Sequence, residues 1–253
     1  MVLLESDSEL SPGDDAPDFE LPAAGGGTYS LADFGDYDAL LVVFTCNHCP
    51  YTEAKVDELN HLAGAYDDLA VVGINPNDAD EYPDDSMARM EDRVTAGEIT
   101  YTAYLRDESQ EVARRYGAVC TPDPFLFERD DEGFRLAFQS RIDDAMSPNK
   151  DPDRYEMREA VEAVLAGDPV PFEATPSQGC SIEWTDVERA PSAAAGYRER
   201  PPRCDRPVGP SAVYASGPSA TRPPTGSVLV QYSATDRARR TARPPANPRN
   251  TAA

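Results

Sequence analysis

The chain has 253 residues and a formal net charge of -23, with 46 acidic side chains against 23 basic ones and only two lysines, Lys55 and Lys150. No run reaches the roughly 20 apolar residues of a membrane helix, and a surface this acidic repels nucleic acid and anionic membranes, so neither is expected as a partner. The five cysteines are an odd number and do not suit a static disulfide framework.

In chain order, residues 1–10 carry acids and no base, so a secretory signal is not expected and a cytoplasmic location is. The acidity of the body suits a cytosol of high salt, as in a halophile. Asp18–Leu21 and Thr28–Ser30 flank a small-residue turn, Ala23 to Gly27, and read as a β-hairpin. Ala39–Thr45 is a continuous apolar run, as a central buried strand requires. Pro50–Tyr66 has helical periodicity through Val56, Leu59, Leu62 and Ala63. Leu69–Ile74 is a second buried strand, Ser86–Ala96 a solvated helix and Tyr101–Leu105 a short strand. Ser109–Tyr116 is a helix, with Ser109 as N-cap and Gly117 as its stop. Phe125–Glu128 and Phe134–Arg141 read as a hairpin, and Arg154–Ala166 closes the body as a helix ending at Gly167. This order predicts an α/β fold with a mixed central sheet flanked by helices.

The composition then changes. Residues 1–190 hold 43 acidic and 13 basic side chains, whereas residues 191–253 hold 3 and 10, with 11 of the 24 prolines. Such a segment cannot build a core, and disorder is expected over 191–253. A flexible basic extension and a GC-rich frame shifted near residue 190 both fit that composition. Cys204 falls in this tail and is given no role.

The chemistry concentrates at Cys46-Asn47-His48-Cys49, directly after the first buried strand and at the opening of the first long helix. Free N–H groups at a helix start favour a thiolate. Cys46, at the strand end with its sulfur toward solvent, reads as the attacking thiol, and Cys49, inside the first turn, as the resolving thiol. Pro50 suits an early helical position. Half of a zinc site and a pair of inert buried cysteines are the alternatives. A structural zinc site calls for four ligands, and the chain has no second Cys-x-x-Cys and only two histidines, His48 and His61. No metal and no cofactor is therefore expected. A cationic His48 would stabilise a thiolate and make the pair more oxidising. His61 reads as a helix-surface residue.

Three blocks, TCNHCPY at 45–51, YGAVCTPDPFLF at 116–127 and GCSIEW at 179–184, resemble the peroxiredoxin-like branch of the thioredoxin superfamily, redoxin-domain proteins related to the alkyl-hydroperoxide reductase/thiol-specific antioxidant group. APDFELP at 16–22, YSLADF at 29–34, QEVARRYGA at 110–118 and RIDD at 141–144 fit the same branch. The resemblance spans about residues 10–188 and implies a thioredoxin fold with Cys46 at the nucleophilic position. It also implies that Thr121-Pro122 is the cis-proline element packed beside the active-site thiols. Thr45, His48, Thr121 and Pro122 are the implied supporting residues, and Cys120 and Cys180 are candidates for additional redox thiols. Two features depart from true peroxiredoxins. Their threonine stands three residues before the cysteine, whereas Thr45 directly precedes Cys46, and their arginine near the hairpin is unmatched, with Arg141 a candidate substitute or an exposed ion pair. The expected activity is thiol–disulfide exchange, with protein disulfides as substrates and a thioredoxin-type reductase system as electron donor. A thiol-dependent peroxidase is the alternative enzyme, and a metal carrier or thiol adaptor the alternative outside enzymes.

Overall fold

The structure, a computed structural model, describes residues 2–185. The expected tail, with Cys204, lies outside the described residues. In chain order the elements are β1 (Leu3–Glu5), β2 (Glu20–Pro22), β3 (Thr28–Ser30), β4 (Ala39–Phe44), α1 (Pro50–Glu53), α2 (Val56–Ala65), β5 (Leu69–Asn75), α3 (Met87–Thr95), β6 (Ala103–Arg106), α4 (Glu111–Tyr116), β7 (Cys120–Thr121), β8 (Asp123–Arg129), β9 (Phe134–Gln139), α5 (Glu156–Ala166) and β10 (Gln178–Ser181).

The apolar runs build the centre. β4 and β5 are buried at every position, so neither face of the sheet meets water. The five-stranded sheet runs β6-β5-β4-β8-β9, with β4, β5 and β6 parallel and β8 and β9 antiparallel. Successive side chains of β4 serve opposite cores, as the strand period of two dictates. Leu40, Val42 and Phe44 pack with Ile74, Tyr116, Phe125 and Phe127. Leu41 and Val43 pack with Leu59 and Leu62 of α2 and Met157 and Val161 of α5. This is the thioredoxin fold, with β2 and β3 forming the expected N-terminal hairpin.

The helix expected over Pro50–Tyr66 is broken. α1 ends at Glu53 and α2 begins at Val56, with Lys55 between them. Lys55 is buried and its Nζ donates to Asp143 Oδ1 at 2.5 Å and to the Ala145 carbonyl at 3.2 Å. A buried cation held to a distant loop outweighs helical propensity at one position, because propensity differences are only a few tenths of a kcal/mol. Ser109 does not cap α4. Gln110 occupies the N-cap position with a left-handed φ of 61°, and its buried side chain compensates that backbone by bonding four partners. Its amide donates to the Pro76 and Glu183 carbonyls, and its oxygen accepts from the Thr185 backbone N–H and hydroxyl.

Three strands had no counterpart in the sequence reading. β1, β10 and β7 form a second, antiparallel sheet with β10 in the middle. Its register places Cys180 opposite both Leu3 and Thr121, and Ser181 opposite Cys120. The sheet lies beside the Cys-x-x-Cys loop and completes the site.

Candidate active site

β4 delivers Thr45 and Cys46 to the carboxyl end of the parallel strands, where open α/β sheets bind ligands. Thr45 is buried, its backbone N–H bonded to the Ile74 carbonyl at 2.8 Å. Cys46 is also buried, at 2 % exposure, instead of facing solvent. Two threonine hydroxyls cover it, Thr121 Oγ1 at 3.2 Å from its sulfur and Thr52 Oγ1 at 3.7 Å. Cys49 is the N-cap of α1 and not a first-turn residue, with Pro50 following as expected. It is 1 % exposed, and its sulfur lies 3.5 Å from the Thr121 carbonyl oxygen. The Thr121–Pro122 bond is cis, and Thr121 stands against both thiols. The Pro122 carbonyl accepts the Ser177 hydroxyl at 2.6 Å.

His48 is fixed by a residue the sequence reading missed. Its Nδ1 hydrogen-bonds Asp85 Oδ2, and its ring stacks on Tyr82 with centroids 4.6 Å apart. Asp85 is fully buried. Its Oδ1 accepts from the Asn47 backbone N–H (2.6 Å) and Asn75 Nδ2 (3.0 Å), and its Oδ2 from Asn77 Nδ2 (3.0 Å). Burial pushes the Asp85 carboxyl up, but the donors from His48, Asn47 and Asn77 outweigh it and hold the group below the ordinary carboxylate range. The bond to Asp85 raises the His48 imidazole against the opposing effect of burial. Asn47 anchors the same loop, accepting from the Tyr104 hydroxyl at 2.8 Å and donating to the Asp84 carbonyl at 2.7 Å.

The two thiols are tightly linked. The Cys46 thiol, hydrogen-bonded to Cys49, pulls the Cys49 thiol down to about 4 against burial, and the Cys180 thiol and the backbone amides of Thr52 and Cys180 add to the pull. Burial, the same bond to Cys49 and the charge of Asp85 push Cys46 up. The two thiols are therefore driven in opposite directions, Cys49 down and Cys46 up, and Cys49, not Cys46, holds the cap position of α1.

Cys180 joins the pair in one buried cluster, with Tyr51 packed against it. Cys120 does not. It is a core residue whose sulfur lies 3.9 Å from the Pro122 carbonyl, and burial pushes its thiol up. Arg141 is held by Glu156 through Nε at 2.5 Å and Nη2 at 2.9 Å, which is the ion-pair expectation. Cys46, His48 and Asp85 each bring a donor atom within 4.8 Å of one another. Both Asp85 oxygens are already occupied by donors, so this carboxylate orients the imidazole and is not free to ligate a metal.

Thr52 and Asp85 were not expected at the site from the sequence. Asp85 had no signal, being one acid among 46. Thr52 lies one turn beyond Cys49, close enough in sequence for its facing to have been inferred.

The profile of the AhpC/TSA family matches residues 12–134. Among solved structures, a hypothetical protein from Sinorhizobium meliloti shares 42% identity with a TM-score of 0.66, covering 72% of this chain and 98% of that one. An uncharacterized conserved protein from Geobacillus kaustophilus shares 36% identity with a TM-score of 0.69, covering 74% and 99%. No functionally curated protein matches. The family match takes in the Cys-x-x-Cys loop, the buried carboxylate that orients its histidine and the cis Thr121–Pro122 element, and residues 12–134 accordingly form an AhpC/TSA family domain on the thioredoxin fold.

Proposed function

We propose that the protein is a thiol–disulfide oxidoreductase that cycles Cys46 and Cys49 between dithiol and disulfide. The observation that carries this reading is the burial of both thiols against the cis Thr121–Pro122 element, with the Thr121 hydroxyl 3.2 Å from the Cys46 sulfur and its carbonyl oxygen 3.5 Å from the Cys49 sulfur. Cys46 attacks the substrate disulfide. Its proton passes to the neighbouring Cys49 sulfur, and the leaving thiolate departs from the substrate. The hydroxyls of Thr121 and Thr52 stabilise the negative sulfur that forms at Cys46. Cys49 then attacks Cys46 in the mixed disulfide, releasing the second substrate thiol and closing the Cys46–Cys49 disulfide. His48, held by Asp85 and with its imidazole raised by that bond, is the nearby group that supplies and accepts protons. Substrates are protein disulfides, and electrons come from a thioredoxin-type reductase system.

Trapping tests the reading. C49S should accumulate a mixed disulfide at Cys46 with a model protein disulfide, and C46S should accumulate none and turn over at background. A trap at Cys49 instead would reverse the order of attack. If peroxide oxidised the wild-type pair rapidly and the protein disulfide did not, the enzyme would be a peroxidase.

A further inference from the structure

A catalytic pair buried at 1–2 % exposure has to pass its disulfide outward, and one feature of the fold supplies a route. Cys180 sits in the central strand of the second sheet, paired with Thr121. Thr121 is the residue whose hydroxyl faces Cys46 and whose carbonyl faces Cys49. Gly179 brings the strand this close, since a Cβ there would fall far inside van der Waals contact of the Thr121 carbonyl. The result is one buried cluster of Cys46, Cys49 and Cys180, in which the Cys49 thiol interacts with both of the others. Cys180, at 7 % exposure, is the most accessible of the three.

We propose that Cys180 is a third redox thiol of this site, which takes over the disulfide by attacking Cys49. The inference rests on the Cys46–Cys49 couple proposed above. In the step, the Cys180 thiolate forms a bond to Cys49 Sγ while the Cys46–Cys49 bond breaks. The electron pair of the broken bond stays on Cys46, which ends with the proton that Cys180 gave up. One S–S bond is exchanged for another, so no external oxidant or reductant is consumed. Cys46 is thereby regenerated as a thiol, and the oxidising equivalent waits at Cys49–Cys180 for the electron donor.

The electrostatics time the transfer. Burial, then the bond to and the charge on Cys49, push the Cys180 thiol up to about 12 in the reduced protein. Once Cys49 is in a disulfide its charge is gone and both of those contributions vanish. Cys180 is held protonated while the pair is reduced and becomes easier to ionise once the pair is oxidised.

Disulfide mapping of the full-length protein tests this. The reduced protein is treated with one equivalent of diamide, quenched with acid and N-ethylmaleimide, and digested with trypsin. No lysine or arginine precedes Lys55, and Cys180 lies between Arg158 and Arg189, so a Cys49–Cys180 bond appears as a link between two peptides and the Cys46–Cys49 bond as a loop within one. Wild type should give both species, C46S the link as its main product, and C180S the loop alone. A wild-type digest with the loop and no link, or with the link at Cys46, overturns the role of Cys180 and leaves the Cys46–Cys49 couple standing. A digest with neither species overturns both.

Discussion

At the residue scale, two buried ionisations give measurable signatures. Cys49 is drawn down to about 4 by its neighbours, so thiolate absorbance near 240 nm should persist in the reduced protein from neutral pH down to about 4. C49S should lose it at neutral pH, and an unchanged signal in that variant would move the charge to another thiol. Asp123 behaves in the opposite way. It opens β8 directly after Pro122, and burial pushes its carboxyl up to about 7 despite bonds from Ser6 and Gln139. Its Oδ2 is buried without a hydrogen-bond partner. A folded value above the unfolded one means that the native state holds the extra proton between about 4 and 7. This group's contribution to stability is therefore full below about 4 and falls as pH rises through 7, by roughly 3–4 kcal/mol. D123N should flatten that slope. Denaturant titrations of both proteins at pH 5 and pH 8 measure it, and parallel behaviour would refute the assignment. The cysteines and Thr121-Pro122 were legible because each is rare in type or bound to a local pattern. Asp85 and Asp123 were not, because the letters of a surface acid and a buried one are the same and only tertiary packing separates them.

At the element scale, long apolar runs were legible and short strands were not. β4 and β5 announce themselves by six and seven buried positions, and the hydrophobic effect of so much apolar surface leaves few alternatives. β7 has two residues and β1 three, too few to show any period. They exist because distant partners supply the ladder, and that information is not local. The break at Lys55 has the same origin in its tie to Asp143. Gly179 is the critical small residue of the second sheet. G179A should force β10 away from Thr121, with an overpacking cost of about 1–3 kcal/mol. Alkylation of Cys46 and Cys49 should accelerate in the variant at pH 7. Unchanged alkylation rates with unchanged stability would show that β10 does not seal the thiols.

At the scale of the whole molecule, the acidity of residues 1–190 predicts a dependence on salt. Self-repulsion among like charges opposes the compact state, and at about 1 M salt screening acts over roughly 3 Å. The melting temperature should rise steadily from 0.1 M to 2 M KCl, and a flat response would remove the high-salt setting proposed for the protein. The organisation of the chain has a consequence in time as well as in space. The thiols at 46 and 49 leave the ribosome early, whereas the strand that seals them, Gln178–Ser181, is made more than a hundred residues later. At typical synthesis rates that interval is on the order of ten seconds. Throughout it, the nascent chain carries the two sulfurs of the proposed couple without the cover that β10 gives them in the finished fold, so oxidation during synthesis meets them unburied.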